Sequence, residues 1–73
     1  MESNQIREHM EVIGSDRQHV GQVDHVEGDS IKLTKGDSPD GQHHYIKLDC
    51  CDHVEGDKVV LNQTCADAQR TWQ

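Results

Sequence analysis

A hexapeptide that occurs twice is the feature that most constrains how this chain can fold. Residues 24–29 read Asp-His-Val-Glu-Gly-Asp, and the same six letters return at residues 52–57, 28 positions later. Self-similarity at a period of this size marks a supersecondary unit that cannot bury its apolar side chains alone. Because there are only two short copies, we expect a paired or closed sheet with pseudo-twofold symmetry, and not an open solenoid.

Each copy predicts a β-hairpin. Gly-Asp between two apolar segments is a two-residue turn signal, because glycine supplies the positive φ that a type II′ turn needs at its first central position. With residues 28–29 as the loop, Val26 faces Ile31 across the ladder, and the second copy places Val54 opposite Val59. These aliphatic side chains are predicted to point into a shared interior.

The other predicted strands lie around the two hairpins. Residues 12–13 predict a short first strand and residues 19–26 a long second one, in which Gly21 permits a bulge. Residues 44–48 alternate in the way typical of a strand buried on one face, with His44 on the buried side. About six strands in all predict a mainly β fold, a small six-stranded β-barrel with a duplicated hairpin.

The tail predicts a short C-terminal helix over residues 63–73. Thr64 is a suitable N-cap, because an acidic residue follows it three positions later. Cys65, Ala68 and Trp72 fall at helical spacing on one face. We expect that face to cover an open end of the sheet.

Length and composition limit the chain to one small domain. Seventy-three residues, of which 32% are hydrophobic and none is phenylalanine, allow only a modest core. We therefore expect a single domain over residues 1–73, with residues 1–10 as an N-terminal extension. Because self-association is a natural remedy for so thin a core, a homodimer is a hypothesis.

Charge and cysteine content indicate the kinds of partner and compartment. The net charge of −7 argues against nucleic-acid binding and against anionic membrane surfaces. No apolar segment approaches the roughly 20 residues that a membrane helix needs, and residues 1–8 lack the layout of a secretion signal. Three cysteines, with Cys50 and Cys51 adjacent, fit a reducing compartment. The expected location is the cytoplasm.

Segments near the start of the chain resemble a known superfamily. Residues 12–16 (Val-Ile-Gly-Ser-Asp) and 19–23 (His-Val-Gly-Gln-Val) resemble the opening of the PRC-barrel superfamily, whose members begin with a short strand, a tight turn and a strand with a Val-Gly-x-Val core. The chain also resembles one family of small bacterial proteins in that superfamily, known only as a domain of unknown function, over residues 6–16, 20–35, 43–48 and 57–62.

The resemblance implies a six-stranded small barrel with a C-terminal helix. It implies no catalytic residues, because none is established for the family. In the wider superfamily, barrels dock onto ribosome assembly factors, photosynthetic complexes and other proteins, which implies a protein-interaction or adaptor module by analogy. The chain departs from the family at two positions: Arg17 stands where relatives usually have glycine, and Cys50 where they tend to carry tryptophan.

Six histidines and three cysteines raise the alternative of a small-ligand or transition-metal protein. Zinc is bound by four converging ligands, usually in pairs two to four residues apart. The chain has no Cys-x-x-Cys pair, and His43 and His44 point to opposite faces of one strand. If zinc or copper binds, the candidate ligands are His44, Cys50 and His53; the preferred prediction has no cofactor.

Enzyme activity is not expected. A nucleophilic cysteine needs a nearby base and an electropositive setting. Cys51 and His53 are predicted to share a strand face, but their acidic neighbours oppose thiolate formation. A phosphate-binding glycine-rich loop is absent from the sequence, and a small barrel has little room for a water-excluding pocket.

The loop before the fourth strand is the predicted recognition surface. Residues 35–42 consist mostly of turn formers, and long loops on small scaffolds tend to carry function. A plain connection is an equally open interpretation. The candidate partner-binding residues lie on this loop, on the strand after it and in the tail: Lys35, Asp37, Asp40, His43, Tyr45 and Trp72.

Overall fold

The computed structural model describes residues 6–36, 38 and 40–72, and they form six strands and one short α-helix. Strands form where Val, Ile and Leu alternate with polar side chains, because branched side chains pack well on a pleated surface. The elements are β1 (Glu11–Ile13), β2 (His19–Glu27), β3 (Ser30–Leu33), β4 (Tyr45–Lys47), a 3₁₀ turn (Leu48–Cys50), β5 (Cys51–Glu55), β6 (Lys58–Leu61) and α1 (Cys65–Thr71).

The strands form one mixed sheet in the order β4-β3-β2-β1-β6-β5. Neighbouring strands are antiparallel except β1 and β6, which run parallel with Val12 opposite Val59. β1 therefore joins the β2–β3 hairpin to the β5–β6 hairpin. The mainly β class with six strands and a C-terminal helix, predicted from the sequence, is confirmed.

The repeated hexapeptides form two hairpins with the same register. Gly28 and Gly56 have φ values of 58° and 62°, the positive angles that the predicted tight turns require. Val26 lies opposite Ile31 in the first hairpin, and the matching valines pair in the second. The predicted turns and cross-strand pairs are therefore confirmed.

Each hairpin also carries a β-bulge at the same place. The pairing skips Asp24 in β2 and Asp52 in β5. Because a bulge adds one residue to one strand, the strict alternation of faces breaks there. Cys51 is consequently buried in the core, whereas His53 is exposed on the outer face. The prediction that Cys51 and His53 share a strand face is wrong for this reason.

The sheet is curled but not closed. β4 and β5 are its two end strands, although only residues 48–50 separate them in sequence. A flat six-stranded sheet would hold its end strands about 24 Å apart, whereas the four Cα steps between them span at most about 14 Å. The two strands nevertheless do not pair within the described residues, so the predicted barrel is not confirmed. The 3₁₀ turn, in which the Cys51 N–H donates to Leu48 O, separates them.

The core lies inside the curl and consists mainly of branched aliphatic side chains. Val26 and Val54 of the two repeats are partly buried and pack against it. Ala68 of α1, which is 0% exposed, belongs to the same cluster. The largest fully buried side chains are Ile31, Leu33, Leu61, Val12, Val20, Val23 and Val59.

Part of the predicted N-terminal extension is built into the sheet and core. Residues 1–5 lie outside the described part of the chain. Ile6 and Met10 are both buried in the core. The His9 N–H donates to Val23 O at 2.8 Å, and the Val23 N–H donates to Met10 O at 2.9 Å. The backbone of residues 9–10 is therefore hydrogen-bonded to β2.

The loop between β1 and β2 contacts the start of α1. Arg17 has a φ of 65°, in the left-handed region that favours glycine. Gly14 is buried, and a Cβ there would lie 2.5 Å from Cys65 N and 2.9 Å from the Thr64 carbonyl carbon. The Cys65 N–H also donates to Asp16 Oδ1 at 3.3 Å. Because Gly14 has no side chain, the backbone of the loop can approach the start of the helix this closely.

Helix α1 begins as predicted, with Thr64 as its N-cap. The Thr64 hydroxyl oxygen accepts from the Asp67 N–H at 3.2 Å. The helix spans Cys65–Thr71, where residues 63–73 were expected, and residue 73 lies outside the described part of the chain. The described residues include no helix that is both long enough and apolar enough to cross a membrane.

Candidate functional site

An apolar hollow of about 180 Å³ lies between β4 and the end of α1. One wall is β4 itself, and the 3₁₀ turn and the end of the helix form the other. Its lining residues are Tyr45, Ile46, Lys47, Cys50, Gln63, Thr71 and Trp72. The structure thus brings two of the predicted partner-binding residues, Tyr45 and Trp72, to one site.

The local sequence explains why Trp72 reaches the hollow. Ala68 anchors α1 in the core, and Trp72 follows it by four residues on the same face. The Trp72 N–H donates to Ala68 O at 2.9 Å, which continues the helical hydrogen bonding to the tryptophan. Cys65 and Trp72 are both partly buried against the core. The predicted apolar face of the helix is therefore confirmed.

Trp72 stacks on His44. The two ring centroids are 4.0 Å apart, and the ring planes differ by 8°. His44 is 9% exposed, because it lies on the same side of its strand as Ile46, which is 3% exposed. Stacked aromatic pairs contribute about 0.5–1.5 kcal/mol beyond the area that they bury. The sequence alternation predicted that His44 would face inward but gave no sign of its contact with Trp72.

Asp40 fixes the orientation of the His44 ring. The Asp40 carboxylate oxygens lie 2.9 Å and 3.0 Å from His44 Nε2. A hydrogen bond from the Ser38 hydroxyl, and then the bond from His44, lower the pKa of Asp40 to about 2. The carboxylate is therefore ionised and accepts the hydrogen bond from His44 Nε2. His44 Nδ1 is buried and has no hydrogen-bond partner in the described part of the chain.

Tyr45 connects the hollow to the first hairpin. It is partly buried and lines the hollow. It also lies near the Glu27 carboxylate, whose pKa is lowered mainly by the hydrogen bond from His25 and to a smaller extent by Tyr45. The carboxylate of Glu27 therefore lies beside one lining residue of the hollow.

The other loop candidates do not line the hollow. Lys35 is exposed, and Asp37 lies outside the described residues. His43 Nδ1 donates to Leu33 O at 2.9 Å and lies 3.9 Å from Asp24 Oδ2. Of the six candidates, the structure brings together Asp40, Tyr45 and Trp72, with His44 between Asp40 and the tryptophan.

The three candidate metal ligands lie in different settings. His44 directs one ring nitrogen to Asp40 and buries the other, and Cys50 lines the hollow. His53 lies on the outer face of β5, with Nδ1 3.1 Å from Asp52. Among the residues described, no group of three or more His, Cys, Asp or Glu side chains is arranged to hold a metal ion.

Cys51 and Cys65 both have raised thiol pKa values. Burial, and then the neighbouring Cys50, raise the pKa of Cys51 to about 12. Burial, and then Asp16, also raise the pKa of Cys65 above its usual value. A raised thiol pKa leaves little thiolate at neutral pH. Both residues therefore serve as packing groups.

On the outer face, the repeated hexapeptide holds a histidine between two carboxylates. His25 Nε2 lies 2.9 Å from Glu27, and Nδ1 lies 3.7 Å from Asp24. His53 in the second copy has the same two kinds of neighbour, at 3.1 Å and 3.5 Å. The hydrogen bond to Glu27 is the main cause that raises the pKa of His25.

A second, polar hollow of about 210 Å³ lies on the outer face, where the sequence predicted no site. His19 Nδ1 is 2.8 Å from Glu11, and Lys58 Nζ is 2.9 Å from the same carboxylate. The bond from His19, and then that from Lys58, lower the pKa of Glu11. Because these residues come from three separate segments, the sequence holds no local pattern that could reveal the cluster. The lining residues are His9, Glu11, His19 and Gln22.

Comparison with known proteins identifies one match for the chain. The model of a family described as "Uncharacterized protein conserved in bacteria (DUF2171)" matches residues 6–69. No curated protein matches the chain. The expected relationship to a bacterial family of unknown function is confirmed by this match.

Proposed function

This chain belongs to the uncharacterised bacterial family DUF2171, and we propose that it is a non-enzymatic protein-interaction module that binds its partner at the hollow beside Trp72. The position of the single tryptophan carries the proposal. Trp72 is partly buried, lies on the rim of an apolar hollow and is fixed by its stack on His44. Tryptophans held in this way are the anchors that protein interfaces use most.

The size of the hollow supports a side chain as its occupant. Small-molecule sites typically enclose about 300–1,000 Å³, whereas this hollow measures about 180 Å³. Because the hollow is smaller than typical small-molecule sites, it gives less support to a small-ligand function or to a catalytic function. A zinc or copper site at His44, Cys50 and His53 lacks a converging set of ligands within the described chain.

The PRC-barrel relationship belongs to the same proposal. It rests on the resemblance over residues 12–16 and 19–23, and a curled six-stranded sheet followed by a helix is compatible with it. The three cysteines support a location in the reducing cytoplasm. The net charge of −7 supports a protein partner over nucleic acid or a membrane surface. Analytical sedimentation at micromolar concentration tests the homodimer hypothesis.

Affinity capture from a lysate of the host bacterium tests the proposed site. Tagged wild-type protein is compared with Trp72→Ala and with Gln69→Ala, an exposed position on the same helix that does not line the hollow. We expect at least one protein to be retained by the wild type and by Gln69→Ala but depleted about tenfold or more with Trp72→Ala, because a buried anchor contributes upwards of about 1.4 kcal/mol.

A second variant separates binding from folding. Trp72→Phe keeps an aromatic ring on His44, so we expect its thermal unfolding to stay closer to that of the wild type than the unfolding of Trp72→Ala does. Circular dichroism of all variants identifies any loss of fold. Retention of the same proteins by wild type and by folded Trp72→Ala would exclude this hollow as the binding site.

A further inference from the structure

β4 has a free edge whose backbone groups point towards the hollow. β4 is an end strand, and the main chain of His44 and Leu48 bonds to the β2–β3 hairpin, at 2.7 Å in each case. Backbone hydrogen bonding alternates along an antiparallel strand, so Ile46 also faces β3. The N–H and C=O groups of Tyr45 and Lys47 therefore point away from the sheet.

Three of these four outward groups have no partner of their own. Within the described residues, the Tyr45 N–H, the Tyr45 C=O and the Lys47 N–H make no hydrogen bond. Lys47 is the N-cap of the 3₁₀ turn, so its C=O accepts the first bond of that turn, and the Cys51 thiol lies 4.0 Å from the same oxygen. The hollow runs along this edge, because all three β4 residues line it. An extended segment placed there would meet backbone donors and acceptors on one side and Trp72 on the other.

The rim of the hollow is mainly acidic. Asp40 is hydrogen-bonded to His44, on which Trp72 stacks, and the Glu27 carboxylate lies near Tyr45. Asp49, the middle residue of the 3₁₀ turn, is exposed and has no ion-pair partner among the described residues. Against these three carboxylates stand two cations, Lys47 in the lining and Lys32, which lies opposite Tyr45 in β3. With a net charge of −7 on the whole chain, this rim complements a basic segment.

We propose that the partner contributes an extended, basic segment that adds a strand to the free edge of β4 and places one apolar side chain in the hollow beside Trp72. Main-chain hydrogen bonds to Tyr45 and to the Lys47 N–H supply affinity, and the hollow selects the side chain. Carboxylates on the rim favour Lys or Arg in the flanking positions. This mode of binding rests on the proposed function, because it specifies the occupant of the same site.

Lys47→Pro removes one outward N–H without disturbing the strand. Lys47 has a φ of −69°, close to the angle that proline imposes, and its N–H does not bond to β3. Ile46, the residue before it, is already extended, as a residue before proline must be. Lys47→Ala is the matched control, because it removes the same charge and keeps the N–H.

The probe is a peptide selected from a random display library of nine-residue sequences. The library is enriched on the wild-type domain, and the most frequent peptide is synthesised with a fluorescein label. Its dissociation constant is measured by fluorescence anisotropy for the wild type, Trp72→Ala, Lys47→Ala, Lys47→Pro and Asp49→Asn. Circular dichroism confirms that each variant is folded.

We expect the selected peptides to share one apolar residue flanked by Lys or Arg. Lys47→Pro should bind about three- to tenfold more weakly than Lys47→Ala, the effect of losing one backbone hydrogen bond. Asp49→Asn should weaken binding, and added salt should weaken it further for the wild type, because the complementary charges are exposed.

Two results would overturn the proposal and leave the proposed function standing. In the first, Lys47→Pro and Lys47→Ala have equal affinities for a peptide that Trp72→Ala does not bind. In the second, the wild type selects peptides without basic residues. Failure of the proposed function looks different. In that case, Trp72→Ala binds the selected peptide and the captured proteins as well as the wild type does.

Discussion

Arg17 adopts a backbone conformation that suits glycine. A left-handed residue with a side chain costs about 1–2 kcal/mol, and Arg17 has a φ of 65°. Its guanidinium lies 2.6 Å from the Glu55 carboxylate, but the two side chains are 59% and 52% exposed. Ion pairs as exposed as this one contribute about 0–1 kcal/mol. The structure therefore favours glycine over arginine at this position.

Replacing Arg17 by glycine or by alanine separates the backbone cost from the ion pair. Both variants lose the contact with Glu55, but only glycine adopts the left-handed φ without strain. We expect Arg17→Gly to be more stable than Arg17→Ala by about 1 kcal/mol. Urea unfolding followed by circular dichroism measures this difference, and equal midpoints for the two variants would contradict it.

Cys51 is predicted to be chemically inert in the folded protein. With its pKa raised to about 12 by burial, only about 1 in 10,000 of the thiols is ionised at pH 8. In a Cys50→Ser/Cys65→Ser variant, iodoacetamide should label Cys51 in denaturant and leave it largely unmodified in buffer. Mass spectrometry measures both rates. Equal labelling of folded and unfolded protein would show that Cys51 is not buried.

At the scale of the elements, Gly14 sets how closely the β1–β2 loop and α1 approach each other. A methyl group at this position would meet backbone atoms of Thr64 and Cys65, which cannot move aside as a flexible side chain would. Overpacking of this kind costs about 1–3 kcal/mol. Gly36 is the matched control, because nothing lies within 4 Å of where its Cβ would be.

Gly14→Ala should therefore lower the free energy of unfolding by about 1–3 kcal/mol, while Gly36→Ala should change it little. Thermal or urea unfolding of both variants checks this expectation. A Gly14→Ala protein as stable as Gly36→Ala would mean that the helix start lies farther from the loop than the structure places it.

The hairpins could be predicted from the sequence because their registers are set locally. A two-residue turn at Gly28 fixes which residues of β2 and β3 face each other, and the second copy repeats the arrangement at Gly56. The bulges at Asp24 and Asp52 were not predicted, because a skipped residue leaves the apolar pattern on either side unchanged. Because the bulge at Asp52 was not predicted, His53 was expected on the same strand face as Cys51.

Long-range pairing is the part of the fold that the sequence does not reveal. The parallel contact between β1 and β6, and the unpaired edges of β4 and β5, depend on how whole elements meet in space. The same holds for the candidate site. Trp72 and His44 were each singled out from the sequence, but their contact depends on where α1 docks.

The net charge of the whole molecule depends on pH through its six histidines. At least five of the six histidines lie within ion-pair distance of a carboxylate: His19, His25, His43, His44 and His53. The net charge is −7 with neutral histidines, so protonating all six leaves −1. Electrostatic repulsion between molecules therefore falls steeply on acidification towards the isoelectric point near 5.1.

The His25–Glu27 pair should stabilise the fold most at mildly acidic pH. The pKa of His25 is raised from 6.5, so its contribution is complete below that value and is lost as the pH rises through the raised pKa. The pKa of Glu27 is lowered from 4.5, so its contribution is present above that value and is lost as the pH falls through the lowered pKa. Both contributions coexist between about pH 4.5 and 6.5.

A double-mutant cycle of His25→Gln and Glu27→Gln tests this pH dependence. We expect the coupling free energy from urea unfolding to be larger at pH 5.5 than at pH 8.5, because His25 is charged at pH 5.5 and loses its proton as the pH rises through its raised pKa. A coupling that is the same at the two pH values would show that the pair makes no contribution that depends on the charge of His25.

β1 lies between β2 and β6, so the middle of the sheet is assembled from segments that are far apart in sequence. During synthesis, a nascent polypeptide that has left the ribosome only as far as β5 has no strand to place on the far side of β1. Val12, which pairs with Val59, then stays open to water. Stable structure therefore has to wait for β6 to emerge, and we expect the six strands to fold together in one step.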